Sequence, residues 1–149
     1  MYIVAYLAFI DTRVHYKKLL SEILDNDVII SVQDPVELNQ YSEPEPDLAI
    51  LKYRDDLYTK SHPKPADVLL VIEVADTSLE KDRAIKLPLY AAAGIREVWI
   101  INLEEQQIEV STEPGEKGYS NLHIYRKGEI VEHALIGELN VSEVLITKD

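Results

Sequence analysis

Asp47 follows Pro46 at the head of the apolar run Leu48-Ala49-Ile50-Leu51, and Glu73 stands inside another, Val68-Leu69-Leu70-Val71-Ile72-Glu73-Val74. A carboxylate in the middle of a buried strand costs on the order of several kcal/mol unless a cation or hydrogen-bond donors meet it. Glu73 therefore demands partners. The nearest candidates are Asp47, on a neighbouring apolar run, and Lys86, on the segment that follows. Two acids and one lysine make a minimal site for metal-assisted phosphodiester hydrolysis. The acids hold a hard divalent cation, and the ammonium stabilises developing negative charge. Each residue alone has a plainer role. Asp47 suits a turn at a strand end, Glu73 a structural ion pair, and Lys86 a solvated helix face or an i, i+4 partner of Asp82. Their coincidence is what favours the joint reading.

The elements that must position these residues follow from periodicity. Residues 14–24 carry apolar positions at helical spacing, and Asp25-Asn26-Asp27 stops that helix. Runs rich in β-branched residues at 28–32, 47–52, 67–75, 97–103 and 107–112 read as strands, whereas 53–65, with its charges and two prolines, reads as a loop. Thr77-Ser78-Leu79-Glu80 fits a capping box opening a helix that Gly94 ends, and Pro88 predicts a kink within it. At about 100° per residue, Leu79, Asp82, Lys86, Leu89, Tyr90 and Ala93 share one face, while Lys81 lies well off it. Strand, helix and strand make a βαβ crossover with parallel central strands. Turn-like pieces at Glu113-Pro114-Gly115 and Lys127-Gly128 predict antiparallel strands in the C-terminal part. The expected fold class is α/β, a mixed central sheet flanked by helices.

Composition bounds the rest. At 149 residues the chain fits one domain, residues 1–149, able to bury roughly two-thirds of its unfolded surface. There is no cysteine, which excludes disulfides and thiolate metal sites and agrees with a cytoplasmic location. The apolar run at residues 1–10 is too short for a bilayer and lacks a basic leader, so no membrane role is expected. The formal charge of −12 opposes nucleic-acid binding, which depends on lysine and arginine at phosphates. The acids nevertheless cluster at 25–27, 37–47, 104–116 and in the C-terminal third, leaving room for a local basic face. His15, His62, His123 and His133 show no metal-ligand spacing, and Trp99 sits in a strand whose neighbours predict core packing. Neither a nucleophile elbow nor a phosphate-cradling glycine loop is present.

Ser42-Glu43-Pro44-Glu45-Pro46-Asp47-Leu48-Ala49, Val71-Ile72-Glu73-Val74-Ala75-Asp76-Thr77-Ser78, Asp82, Lys86-Leu87-Pro88-Leu89-Tyr90-Ala91 and Gly94-Ile95-Arg96-Glu97-Val98-Trp99 together resemble the Uma-two family of restriction endonucleases, also called domain of unknown function 820, within the PD-(D/E)XK nuclease superfamily. The resemblance implies a restriction-endonuclease-like core. It also implies a Mg²⁺ or Mn²⁺ ion on Asp47, Glu73 and the Val74 carbonyl, with Lys86 as the catalytic lysine, DNA as substrate and a homodimer. The chain departs from the superfamily twice. Ala75 occupies the usual lysine position, and Lys86 matches the lysine that the family carries on the next helix. Residues 1–13 hold no glutamate where relatives carry an upstream acid, so the N-terminal segment reads as shortened. Apolar edges for a dimer are expected beside Trp99 or in the C-terminal hairpins. The alternatives are a catalytically inactive nuclease-fold domain serving as an assembly or regulatory subunit, and a hydrolase of small phosphoesters.

Overall fold

The five apolar runs and one further strand form a single sheet. The computed structural model describes residues 2–75 and 79–145, with the side chains of residues 2–11 and of Asp82 outside that description. Helix α1 (Tyr2–Ile23) leads into β1 (Val28–Val32), β2 (Leu48–Lys52) and β3 (Val68–Ala75). A helical crossover of α2 (Leu79–Lys81), a π turn (Asp82–Lys86) and α3 (Leu87–Ala92) returns the chain to β4 (Glu97–Asn102). Then come β5 (Gln107–Gly115), β6 (Gly118–Arg126), a separate hairpin of β7 (Ile130–His133) and β8 (Gly137–Asn140), and α4 (Val141–Val144). The sheet order is β1-β2-β3-β4-β5-β6, with β3 and β4 parallel and every other pair antiparallel. The mixed α/β architecture is the one read from the sequence.

Strand alternation splits the core into two layers. Leu48, Ile50, Leu70, Ile72, Trp99 and Ile101 face a layer completed by Tyr16 and Leu20 of α1 and by Val131 and Leu139 of the β7–β8 hairpin. Ala49, Leu51, Val71 and Val98 face the other, closed by Tyr90 of α3 and by Ile95. With both faces covered, β3 and β4 carry continuous apolar sequence instead of alternation. Burying each large aliphatic side chain contributes roughly 1.5–3 kcal/mol, so the central strands hold the strand ends, and whatever those ends carry, in fixed register.

Several local expectations are revised. Helix α1 starts at Tyr2, because the apolar run before residue 14 is helix-compatible as well as apolar. The triplet Glu113-Pro114-Gly115 lies within β5, and the turn falls on the next two residues. Pro114 is tolerated there because β4 pairs with β5 only as far as Thr112, so no partner on that side requires its missing N–H. Pro88 does not kink a continuous helix. It is the second residue of α3, and the turn before it widens to π geometry, since a proline cannot donate to the carbonyl four residues back. The widened turn shifts the helical phase, leaving Leu89 on the exposed side at 40%. Gly94 does end the helix at φ +84°, with Ile95 N–H donating to the Tyr90 carbonyl. Trp99 is buried in β4 between β3 and β5, so no edge lies beside it; the sheet edges are β1 and β6. Among the described residues no helix is long and apolar enough to cross a membrane.

Candidate active site

The register of β2 against β3 pairs Leu48 with Ile72, which carries Asp47 alongside Glu73. Both lie on the alternation that faces α3. Their backbones interlock: Asp47 N–H donates to Glu73 Oε2 at 3.4 Å, and Val74 N–H donates to Asp47 Oδ2 at 2.8 Å. Glu73 is 1% exposed and Asp47 7%. Burial of this kind needs compensation, and the remaining oxygens receive it. The Tyr90 hydroxyl donates to Glu73 Oε1 at 2.7 Å, and Lys86 Nζ lies 3.3 Å from Oε2. Asp47 Oδ1 meets the Arg13 guanidinium at 3.0 Å.

The fold therefore brings Asp47, Glu73, Val74 and Lys86 to one place, while Lys81 stays exposed. The i, i+4 pairing of Asp82 with Lys86 rests on a side chain outside the description, and the capping box at Thr77 falls outside the described residues. Two members of the cluster were not read as functional from sequence. Tyr90 had a signal, since it shares the inward face with Lys86. Arg13 had none, because it reaches Asp47 around the strand end from α1, the helix of the opposite layer. Of the histidines, His133 meets Glu97 at 3.2 Å and the edge of Trp99, His123 stacks on Tyr125 and His15 meets the edge of Tyr16, while His62 is exposed.

A second buried acid stands on the same row of the sheet. Ile100 of β4 pairs with Glu73 on one side and with Glu109 of β5 on the other. Glu109 accepts from Arg83 Nε at 2.9 Å, and Arg83 Nη2 makes a further contact with its other oxygen. Asn102 Nδ2 and Gln107 Nε2 each donate to it at 2.9 Å. Burial pushes the Glu109 carboxyl upward, but the hydrogen bonds from Arg83, Asn102 and Gln107, with the Arg83 charge, outweigh it and hold the group below the ordinary value of 4.5. The π turn thus spans both acids, with Arg83 on Glu109 and Lys86 on Glu73.

The residues present fit a hard divalent ion. The donor set is all oxygen, and the two adjoining carboxylates already draw a guanidinium and an ammonium, which shows the local demand for positive charge. Among the described residues no group of three or more His, Cys, Asp or Glu is placed to hold a metal ion, so the fit rests on the two carboxylates alone. A cleft of about 900 Å³ lined by Lys52, Lys64, Arg96 and His133 lies at the other ends of these strands, away from the acid pair.

The solved structure of a DUF820 protein from Anabaena variabilis, titled "putative nuclease", superposes with a TM-score of 0.67 at 9% identity, covering 89% of this chain and 77% of that one. At that identity the likeness establishes the fold. No curated protein matches the chain. The profile of the Uma2 family, described as "Putative restriction endonuclease", matches residues 15–143, a stretch that contains Asp47, Glu73, Lys86 and Tyr90. With most of its length matched, the chain belongs to the Uma2 family.

Proposed function

We propose that the protein is a divalent-metal-dependent nuclease that hydrolyses DNA phosphodiester bonds. The observation that carries this reading is the adjoining pair of buried carboxylates, Asp47 and Glu73, with the Lys86 ammonium 3.3 Å from the second. A structural ion pair needs one acid; two interlocked acids at a strand end, facing more than one cation, suit a site that changes its charge during use. Asp47, Glu73 and the Val74 carbonyl would hold Mg²⁺ or Mn²⁺, which when bound would supply Lewis-acid activation of the phosphoryl group and of water. The Tyr90 hydroxyl fixes the Glu73 rotamer. Lys86, on a flexible stem and 28% exposed, places positive charge where the in-line displacement accumulates negative charge on phosphate oxygens. Action in the cytoplasm accords with the lack of cysteine.

Cutting both strands of a duplex calls for two such sites, and the edge of β6 offers a surface for a two-fold pair. That strand runs nine residues, bears no lysine or proline, and exposes Leu122 at 59%. A second reading, a nuclease-fold subunit without activity, draws support from the net charge of −12 and from Arg13, which already neutralises Asp47. Plasmid nicking in Mn²⁺ separates the two. The nuclease reading expects cleavage by the native protein, none by Asp47→Asn and only residual cleavage by Lys86→Met; a native protein that binds Mn²⁺ at this site yet never nicks DNA would establish the inactive subunit instead.

A further inference from the structure

We infer that the Arg13 guanidinium is a resident cation which a divalent metal must displace from Asp47, so that Arg13 sets how tightly the site takes its ion. The inference rests on the metal-site reading above and adds a residue to it. Arg13 lies just outside the stretch matched to the family, which begins at residue 15, and it arrives from a different layer of the fold than Lys86 does.

The argument is one of shared charge. Of the two Asp47 oxygens, Oδ2 accepts the Val74 N–H, and Oδ1 is held by Arg13 at 3.0 Å. A dication on Asp47 and Glu73 draws on the same carboxylate charge that neutralises Arg13. The Arg13 and Asp47 side chains are only 12% and 10% exposed, so little water or salt stands between the two cations to screen them. They compete for Asp47. Lys86 is placed differently: it is 28% exposed and can turn its ammonium into solvent. Exchange at Arg13 does not require α1 to undock, because Tyr16 and Leu20, farther along the helix, are packed in the core at 2% and 4% exposure. Only the Arg13 side chain has to swing away.

The test is titration calorimetry of the full chain with Mn²⁺, comparing the native protein with Arg13→Met and with Arg13→Lys, and using Asp47→Asn as the control that removes the site. Arg13→Met is expected to bind Mn²⁺ about tenfold or more tightly than the native protein, with Arg13→Lys between them because it keeps the charge on a more mobile, strongly hydrated group. In parallel, Mg²⁺ is titrated into ¹⁵N-labelled native protein. The Arg13 Nε–H resonance, assigned by its loss in Arg13→Lys, should move with the same saturation as the bound ion. Equal or weaker Mn²⁺ affinity in Arg13→Met, or an Arg13 resonance that stays fixed while the site fills, would overturn the inference and leave the metal site standing. Failure of every protein to bind Mn²⁺ would overturn both. Should Arg13→Met not fold, Arg13→Lys and the native resonance still decide the matter.

Discussion

Glu73 and Glu109 flank Ile100 on one row of the sheet and are exposed by only 1% and 2%, yet they are neutralised in different ways. Glu109 is closed by Arg83 and by two amides, Asn102 and Gln107, short side chains fixed on the same strands. Glu73 is met by a phenol, by the N–H of the residue that carries the other acid, and by an ammonium at the end of a long stem. Burial of an acid therefore does not by itself mark a site of chemistry. The difference lies in what completes each site: besides Arg83, Glu109 keeps two amides of β4 and β5, whereas Glu73 adjoins a second acid and the two cations at that pair, Lys86 and Arg13, both come from outside the sheet.

The largest effect expected from testing this contrast is catalytic. Lys86→Met should leave the fold intact and lower Mn²⁺-dependent cleavage by about 10²–10³-fold, the usual cost of removing one preorganised charge donor. Single-turnover nicking measures the loss, and circular dichroism checks the fold. Next comes Arg83→Met, which strands Glu109 without its cation. Removing one partner of a buried pair typically costs about 3–5 kcal/mol, and the 38% exposure of Arg83 argues for the lower end, about 3 kcal/mol in urea denaturation. Glu73→Gln, which keeps an acceptor for Tyr90, should cost less than half of that. If Glu73→Gln proves the more damaging, the roles of the two acids are reversed.

A smaller effect is expected from metal. Millimolar Mg²⁺ or Mn²⁺ should raise the melting temperature of the native protein by a few degrees, on the order of 1–3 kcal/mol by mass action, and should do nothing for an Asp47→Asn, Glu73→Gln double variant. An equal response in both would assign the ion to the acidic surface. The smallest effect is in pH. Because Glu109 is held below 4.5 in the fold, its contribution to stability is complete above about pH 4.5 and is lost as pH falls through the lower folded value. Melting curves between about pH 3 and 6 should fall more steeply for the native protein than for Glu109→Gln, which has no proton to take up.

The strands and the crossover were legible because burial on both faces writes itself as unbroken apolar sequence, and Glu73 was visible as the one acid in such a run. Glu109 was not. Its strand, Gln-Ile-Glu-Val-Ser, alternates like a half-solvated one, and the donors that make the acid tolerable come from β4 and from a turn many residues away. Arg13 was illegible for a related reason: its contact with Asp47 is set by how α1 passes the end of β2, a matter of tertiary path that local pattern does not encode. The π turn escaped because proline forecasts a lost hydrogen bond without saying whether the chain bends or widens to absorb it.

That widened turn has a consequence for chain length. A π turn is an α-helix with one residue too many, and the surplus lies between Arg83 and Lys86. Deleting Ala84 would keep Lys86 and Tyr90 in phase with Glu73 but swing Arg83 about 100° around the axis, off Glu109. Pro88 opposes the deletion, since a tighter helical path would aim a carbonyl at its ring. The proline thus acts as a guard on residue count. Replacing it with a donor in this chain would remove that guard, and while it stays both ion pairs are spanned by the same five residues.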